Sequence, residues 1–323
     1  MPNNEKESAI PAESGRRVIV IIGHLVWDRI RNAGGNWRES LGGTAYSWAA
    51  LGSQPDMQAT AYPICSVGYD LYEKAREYFA RFPNLDLSLV RKIARKNKIH
   101  ELIYRESGCR EETNYGEMPL IQPPAHGMPP HIDATLINYI SGDEFPPRFI
   151  RRFKKEYASL VYLDYHSLAL GRRKGDGRSG VRRYLRLNPH WKTYIASADI
   201  VQMNNYELQS IMPCLKLDTE SVVRAAAEIH SLGPKAVIIT READDLVVIH
   251  GSTGKPRIEI MNVSPVEDLI DPTGCGDSFA AGFLAEYIQT GDIIAAARRG
   301  LMLAARKATF SGIEGFLALL NKA

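Results

Sequence analysis

Short continuous runs of hydrophobic residues recur along the chain, and between them apolar residues return every three or four positions. Uninterrupted runs of this length are typical of strands buried on both faces, whereas the wider spacing is typical of amphipathic helices. The runs predict strands at 18–22, 136–140, 160–165, 199–203 and 236–240. The spacing predicts helices at 44–51, 146–157, 179–187 and 219–232. This alternation predicts an α/β fold, a doubly wound and mostly parallel sheet with helices on both faces.

Residues at the ends of these strands mark one edge of the predicted sheet. Gly23, Asp164, Asn204 and Thr240 each stand at or just beyond the end of a predicted strand. In doubly wound sheets, ligands bind beyond the carboxyl ends of the strands. The pattern therefore predicts a binding site at that edge.

Composition along the chain predicts its division into segments. Residues 1–16 indicate a flexible N-terminal tail, and residues 17–323 are predicted to form one α/β domain. Residues 98–118 alternate loosely around a turn at 106–110, which predicts a hairpin. No internal repeat or low-complexity segment is evident in the sequence.

Composition and charge limit the function classes. With 45% hydrophobic and 24% charged residues among 323, the chain is typical of a soluble globular protein. A net charge of +3 is too small to favour nucleic acid as a partner. No apolar run is long enough to span a bilayer and the N-terminus is polar, so we expect no membrane partner and a cytoplasmic location. The four cysteines are widely spaced, which predicts neither a disulfide framework nor a zinc site.

The strongest chemical signal is a glycine-containing loop at 271–278, which reads Asp-Pro-Thr-Gly-Cys-Gly-Asp-Ser and runs into an apolar helix. The start of a helix has free backbone N–H groups and a partial positive charge, so the amides of Gly274, Cys275 and Gly276 predict an anion site. Asp277, in the first turn, then has the position of a general base for an attacking hydroxyl. The alternative is an ordinary helix cap, because Asp and Gly are common at helix starts.

The same loop resembles the C-terminal signature of the ribokinase/PfkB family of carbohydrate kinases, and further marks of that family follow in order along the chain. They are Gly23, Asp28, Gly42-Gly43, Val67-Gly68-Tyr69-Asp70, Ile140-Ser141-Gly142, and Asn204 with Glu207. The resemblance implies a ribokinase-like fold with a small β lid from about 29–41 and 98–118. It also implies ATP as the donor, Mg²⁺ as the metal ion, and exclusion of water by the lid.

The resemblance places an acceptor substrate beside Asp28, whose carboxylate would bind hydroxyl groups. The implied substrate-binding residues are Asp28, Gly42, Gly43, Ser47, His24 and Arg110. Most relatives have Asn at the position of Ser47, and the shorter side chain predicts an acceptor other than ribose. A structural role for His24 is an equal alternative, and Arg110 reaches the acceptor only if the lid closes.

The donor half departs from the family pattern. The implied nucleotide-binding residues are Asn204, Thr240, Glu242, Asp245 and Thr273, and the implied metal site is Asn204 with Glu207 acting through water. Where relatives have Thr-x-Gly-x-x-Gly, this chain has Thr-Arg-Glu-Ala-Asp-Asp at 240–245. Acids near a polyphosphate are repulsive, and their Cβ atoms restrict the loop. The loop is then re-routed, the donor is unusual or weakly bound, or activity is lost. Helix capping is the alternative role of Asn204.

The sequence therefore predicts an ATP-dependent phosphotransferase that moves the γ-phosphoryl group to a hydroxyl of a sugar, polyol or related small molecule. The short first lid segment and the run after Gly42 look similar to inositol-kinase-like members. One alternative is a nucleoside kinase with a slot lined by the N-terminal aromatic residues. Another is a catalytically weak binding or regulatory protein on the same fold. The expected partner is the small-molecule acceptor, and both a monomer and a homodimer agree with the short lid.

Overall fold

The computed structural model describes residues 15–31, 35–105, 110–124, 126–174, 180–241 and 244–320. Within these residues, nine strands form the larger of two sheets. They are β1 (Arg17–Ile22), β4 (Ala59–Gly68), β5 (Val90–Ile93), β8 (Ala134–Asn138), β9 (Leu160–Asp164), β12 (Ile200–Asn204), β13 (Ala236–Thr240), β14 (Asp245–Ser252) and β15 (Lys255–Asn262).

The strand order in this sheet is β15-β14-β13-β12-β9-β8-β1-β4-β5. The strands from β13 to β5 run parallel, and β14 and β15 add an antiparallel hairpin at one edge. All five strands predicted from hydrophobic runs are present, with ends shifted by at most two residues. The predicted fold class is confirmed.

The helices cover both faces of this sheet. They are α1 (Ala45–Gly52), α2 (Tyr72–Phe79), α3 (Pro147–Tyr157), α4 (Trp191–Ile195), α5 (Asn205–Ile211), α6 (Thr219–His230), α7 (Cys275–Thr290), α8 (Ile293–Ala308) and α9 (Gly315–Leu320). Alternate residues of β1 show why two cores form: Ile19 and Ile21 pack with α1, α7 and α8, whereas Val20 and Ile22 pack with α3 and α6. Hydrophobic residues at every position of a strand are thereby buried.

A second sheet of six strands stands beside the carboxyl edge of the first. It contains β2 (Leu25–Arg31), β3 (Trp37–Gly43), β6 (Ile99–Tyr104), β7 (Arg110–Tyr115), β10 (Leu170–Lys174) and β11 (Gly180–Leu185), in the order β10-β11-β7-β6-β2-β3. The helix predicted at 179–187 is wrong, because residues 180–185 form β11, which pairs with β7 and β10. The strand is stabilised by pairing with these two neighbours, a contact that local periodicity does not reveal.

Both predicted lid segments contribute strands to this second sheet, and the division of the chain into a tail, a domain and a lid stays a prediction. Of the predicted tail 1–16, residues 1–14 lie outside the described part of the chain. Across the described ranges, no helix combines the length and apolar character needed to cross a bilayer.

Candidate active site

The predicted anion loop leads directly into α7. Gly274 precedes the helix with φ of 84°, and a Cβ atom there would lie 2.3 Å from Cδ1 of Tyr46. Both the positive φ and the close ring require glycine. The N–H of Cys275 donates to the carbonyl of Pro272 at 3.2 Å, so an anion would have to compete for this amide. The amide of Gly276 donates to no group in the described chain.

Asp277 occupies the first turn of α7 and is held by two neighbours. Nδ2 of Asn138, the last residue of β8, donates to Oδ1 of Asp277. Oγ of Ser47, on α1, donates to the same oxygen at 3.4 Å. Burial raises the pKa of Asp277, although the charge of His166 and these hydrogen bonds act to lower it. The carboxylate is thus oriented and held in a poorly solvated place, as a general base requires.

A buried ion pair supports the loop from behind. Nζ of Lys307, on α8, donates to the carbonyl oxygens of Asp271 at 3.2 Å and Phe310 at 3.0 Å. It lies 3.9 Å from Oδ2 of Asp271, and the two side chains are 0% and 2% exposed. Oδ1 of Asp271 accepts the N–H of Thr273 at 2.9 Å. Because buried charges are stable only when paired, these contacts fix the shape of the loop.

The first turn of α7 is also tied to the central sheet. Nε2 of Gln202, on β12, donates to the carbonyl of Gly276 at 3.1 Å, and the Tyr162 hydroxyl donates to Oε1 of Gln202 at 2.6 Å. Burial raises the pKa of Cys275 to about 11. Its side chain is therefore a neutral thiol near pH 7, as expected for a small residue that lines the loop.

Asp28 lies on β2 with its carboxyl group against the backbone of Gly42. A Cβ at Gly42 would lie 2.0 Å from carboxyl atoms of Asp28, so glycine is required for this approach. Burial, followed by the negative charge of Asp277, raises the pKa of Asp28 well above its usual value. The two predicted acidic residues are therefore close enough for their charges to interact.

Gly43 and His24 have structural roles at the start of the second sheet. Gly43 has φ of 62°, and a Cβ there would lie 2.5 Å from the carbonyl oxygen of His24. The His24 ring places Nδ1 3.2 Å from Oγ of Ser141 and Nε2 3.0 Å from the carbonyl of Pro119. Protein groups contact both ring nitrogens, which favours the structural alternative for His24.

The second sheet, called the lid sheet below, contacts the predicted anion loop. The hydroxyl of Tyr104, at the end of β6, lies 3.0 Å from Oγ1 of Thr273. Arg110 begins β7 and has its Nη2 3.5 Å from Oε2 of Glu112. Thr273, predicted to bind nucleotide, is thus linked to the lid, and Arg110 lies on the strand that pairs with β6.

On the donor side, Asn204 and Glu207 form a capping box at the start of α5. Oδ1 of Asn204 accepts the N–H of Glu207 at 2.9 Å, and Oε2 of Glu207 accepts the N–H of Asn204 at 2.9 Å. Nδ1 of His166 lies 3.6 Å from Oε1 of Glu207. This arrangement favours the capping role of Asn204 and leaves Glu207 lone pairs for metal-bound water. Among the described residues, no cluster of three acidic, His or Cys side chains could hold a metal directly.

The departure from the family pattern at 240–245 has a structural consequence. Nη1 of Arg241 donates to Oδ1 of Asp245 at 2.5 Å and to Oγ1 of Thr219 at 2.8 Å. Oδ2 of Asp245 accepts from the same Thr219 hydroxyl at 3.0 Å. Arg241 therefore neutralises Asp245 and ties the strand end to α6. Thr240 donates to the carbonyl of Met203 at 3.4 Å, and the predicted nucleotide contact Glu242 lies outside the described residues.

Comparisons with known proteins agree with this architecture. Residues 183–314 match the family model described as pfkB family carbohydrate kinase. The solved structure of a ribokinase from Cryptococcus neoformans var. grubii in complex with ADP superposes with a TM-score of 0.72 at 12% identity, over 95% of this chain and 100% of that one. The chain has the ribokinase fold. The resemblance to the ribokinase/PfkB family is therefore confirmed.

Two other similar proteins carry different substrate names. The cytidine kinase of Thermococcus kodakarensis is 25% identical over 309 residues, covering 88% of this chain and 93% of its own length. A pyrophosphate-dependent kinase of the ribokinase family, complexed with a pyrophosphate analog and myo-inositol, has a TM-score of 0.70 at 18% identity, over 93% of this chain and 99% of that one. Together with the family match they support a kinase and leave the substrate class undetermined.

Several residues of this candidate site were missed from the sequence. Asn138 and His166 adjoin the ends of β8 and β9, so a search for polar residues at every strand end would have found them. Burial lowers the pKa of His166, but the hydrogen bond with Glu207 and the charge of Asp164 outweigh this and raise it to about 9. Lys307 had no sequence signal, since a lysine on an amphipathic helix is usually exposed.

Proposed function

We propose that this protein transfers a phosphoryl group to a hydroxyl of a small sugar, polyol or related acceptor, with Asp277 as the general base. The observation that carries the proposal is the position of Asp277. It lies in the first turn of α7, is oriented by Ser47 and Asn138, and shares a space with Asp28. A half-buried carboxylate at a helix start, beside an amide-lined anion site, suits deprotonation of a hydroxyl next to a phosphate.

In the proposed reaction, Asp277 takes the proton of the acceptor hydroxyl as its oxygen forms a bond to the γ-phosphorus. The bond from that phosphorus to the bridging oxygen breaks, and ADP leaves with the electron pair. Amides around Gly274 and Gly276 stabilise charge on the transferred phosphoryl oxygens. Asp28 orients the acceptor through its hydroxyl groups. The lid excludes water, which would otherwise compete as the acceptor.

The donor that we propose first is ATP, supported by the family match and by the ADP complex of the similar ribokinase. Mg²⁺, when bound with the donor, would neutralise phosphate charge, and Glu207 would hold it through water. In this proposal Asp245 does not contact ribose, because its carboxylate is paired with Arg241.

A second donor, pyrophosphate, is favoured by the loop at 240–245. Both glycines that let a nucleotide approach the backbone in relatives are replaced in this chain. The Arg241 side chain is buried, with 5% of its surface exposed. A donor without base and ribose needs no such approach. The similarity to a pyrophosphate-dependent kinase supports this alternative.

A nucleoside is the second acceptor class, supported by the similarity to a cytidine kinase over most of the chain. Three of the N-terminal aromatic residues do not line such a base-binding slot. Tyr46 and Trp48 are buried in the core at 2% and 1% exposure. Trp37 lies under the guanidinium groups of Arg29 and Arg31. A base would therefore need a different surface on which to stack.

The test is product formation with ATP or pyrophosphate and Mg²⁺ across pentoses, hexoses, inositols, sugar acids, sugar phosphates and nucleosides. Asp277→Asn should lower kcat by about 10²- to 10⁴-fold while acceptor affinity is kept. Asp56→Asn, at an exposed acid, is the matched control and should retain full turnover. Equal turnover in the parent and Asp277→Asn proteins would contradict the proposed base. Binding without turnover would instead support a binding or regulatory protein.

A further inference from the structure

The face of the lid sheet that carries Asp28 also carries polar side chains that the proposed chemistry does not use. Asp28, His100 and Asn114 lie opposite one another on β2, β6 and β7. Side chains directly opposite on neighbouring strands share one face of a sheet. Val181 on β11 pairs with Asn114, so Arg183, two residues further, lies on this face as well.

This face lies near Asp277, the proposed general base. The negative charge of Asp277 raises the pKa of Asp28, and so does the negative charge of Glu112. Glu112 in turn lies 3.8 Å from Arg183. Through Glu112, Arg183 therefore lies on the same face of the sheet as Asp28, whose surroundings are the space proposed for the acceptor.

Arg183 is buried without enough hydrogen-bond partners. Its side chain is 0% exposed, and Nη2 donates to the carbonyl of Ser167 at 3.3 Å. Nε and Nη1 have no hydrogen-bond partner, and neither do Nε2 of His100 and Oδ1 of Asn114. Orphaned buried donors destabilise a protein unless a bound group pairs with them. A ligand that supplies acceptor atoms would therefore pair with the orphaned donors of Arg183 and His100.

Arg183 also shares its nearest carboxylate with a second arginine. Within the described part of the chain, Glu112 is the one carboxylate within 4.0 Å of Arg183, and Arg110 shares it at 3.5 Å. Lys98 is 4% exposed and donates from Nζ to Oγ of Ser141 at 2.7 Å. Burial lowers the pKa of both Lys98 and Arg183, although the negative charges of Asp143 and Glu144 act to raise the pKa of Lys98 and that of Glu112 acts to raise the pKa of Arg183.

We infer that the acceptor carries an anionic oxygen group, a carboxylate or a phosphate, which Arg183 binds while Nε2 of His100 donates a second hydrogen bond. The inference rests on the proposed function, because it assigns the substrate class of the same site. A neutral polyol would satisfy the orphaned donors but not the positive charge. An anionic oxygen satisfies both, and hydrogen bonds between two charged groups are the stronger kind.

The experiment measures acceptor binding by calorimetry without a donor, so that it does not depend on turnover. The probes are two matched pairs, glucose with gluconate and ribose with ribose 5-phosphate, which separate a carboxylate site from a phosphate site. We expect the parent protein to bind one acidic probe about tenfold to a hundredfold more tightly than its neutral counterpart. Arg183→Gln should reduce that preference to about twofold or less.

Arg182→Gln is the matched control, because Arg182 lies on the same strand with its side chain 60% exposed and pairs with Glu111. It should keep the full preference. If Arg183→Gln does not fold, Arg183→Lys, which keeps the charge, should show an intermediate preference.

The inference is overturned if the parent binds neither acidic probe, or if the neutral probes bind as tightly as the acidic ones. It is also overturned if Arg183→Gln and Arg182→Gln change the preference equally. Turnover with neutral acceptors alone would overturn this inference and leave the proposed phosphotransfer intact. Tight binding of an acidic probe without turnover of any acceptor would support this inference and contradict the proposed phosphotransfer.

Discussion

Gly274 is the residue at which backbone geometry most directly limits the site. Alanine there would adopt a strained positive φ of 84° and place its Cβ 2.3 Å from the Tyr46 ring. We expect Gly274→Ala to destabilise the protein by about 2–4 kcal/mol, combining left-handed strain with overpacking. Turnover should also fall, since the amides of the anion loop would shift. Urea unfolding and a turnover assay measure the two effects.

The matched control lies at the other end of the same helix. Gly291 has φ of 68°, and an added Cβ would meet nothing within 4 Å. Gly291→Ala therefore isolates the conformational strain, about 1–2 kcal/mol. Equal destabilisation by the two substitutions would show that the contact with Tyr46 does not constrain the loop.

Asp277 illustrates a conflict between activity and stability at a single residue. Burial raises its folded-state pKa above the ordinary value of 3.8, so the ionised carboxylate destabilises the folded state at neutral pH. We expect Asp277→Asn to increase the free energy of unfolding at pH 7. The increase should shrink as pH falls through the folded pKa and vanish below about 3.8, where Asp is protonated in both states. Denaturant titrations across pH measure this, and a decrease at pH 7 would contradict it.

At the scale of elements, the link between β13, β14 and α6 depends on the Arg241–Asp245 pair. Their side chains are 5% and 13% exposed. Asp245→Asn should leave a buried guanidinium without its counter-charge and destabilise the protein by about 3–5 kcal/mol. Asp244→Asn is the control, because Asp244 lies 3.8 Å from Arg241 but is 71% exposed, and a loss below about 1 kcal/mol is expected. Unchanged stability with a raised donor KM in Asp245→Asn would instead return Asp245 to the donor site.

At the scale of the whole molecule, the hydrogen bond between Tyr104 and Thr273 joins the lid sheet to the anion loop. Tyr104→Phe removes one neutral hydrogen bond, of about 0.5–1.5 kcal/mol, from the contact between the lid sheet and the anion loop. We expect acceptor-independent hydrolysis of the donor to rise up to about tenfold relative to transfer. Tyr184→Phe, on a 45% exposed lid residue, should leave this ratio unchanged. Parallel assays of phosphate release and acceptor phosphorylation give the ratio.

How far the sequence predicts the molecule differs between elements. The strand at 236–240 was predicted without error because its residues are β-branched except for one alanine, a signal that does not depend on distant contacts. The spacing of apolar residues predicts a helix at 179–187, whereas residues 180–185 form a strand. That strand is stabilised by partners on β7 and β10, which the local spacing does not show. Roles at predicted site residues stay predictions, although the geometry around Asp277 and Asp28 supports the proposed reaction.

By itself, the sequence determined the parallel sheet, the order of its strands along the chain, and the loop that begins α7, because each has a local hydrophobic or glycine pattern. Only the tertiary structure decided which polar groups meet. Asn138, Ser47 and Asp277 come from three distant segments, and Lys307 and Arg183 are buried by contacts far apart in sequence. Hydrogen bonds and charge compensation depend on distances of a few ångströms, and those distances exist only once the chain is folded.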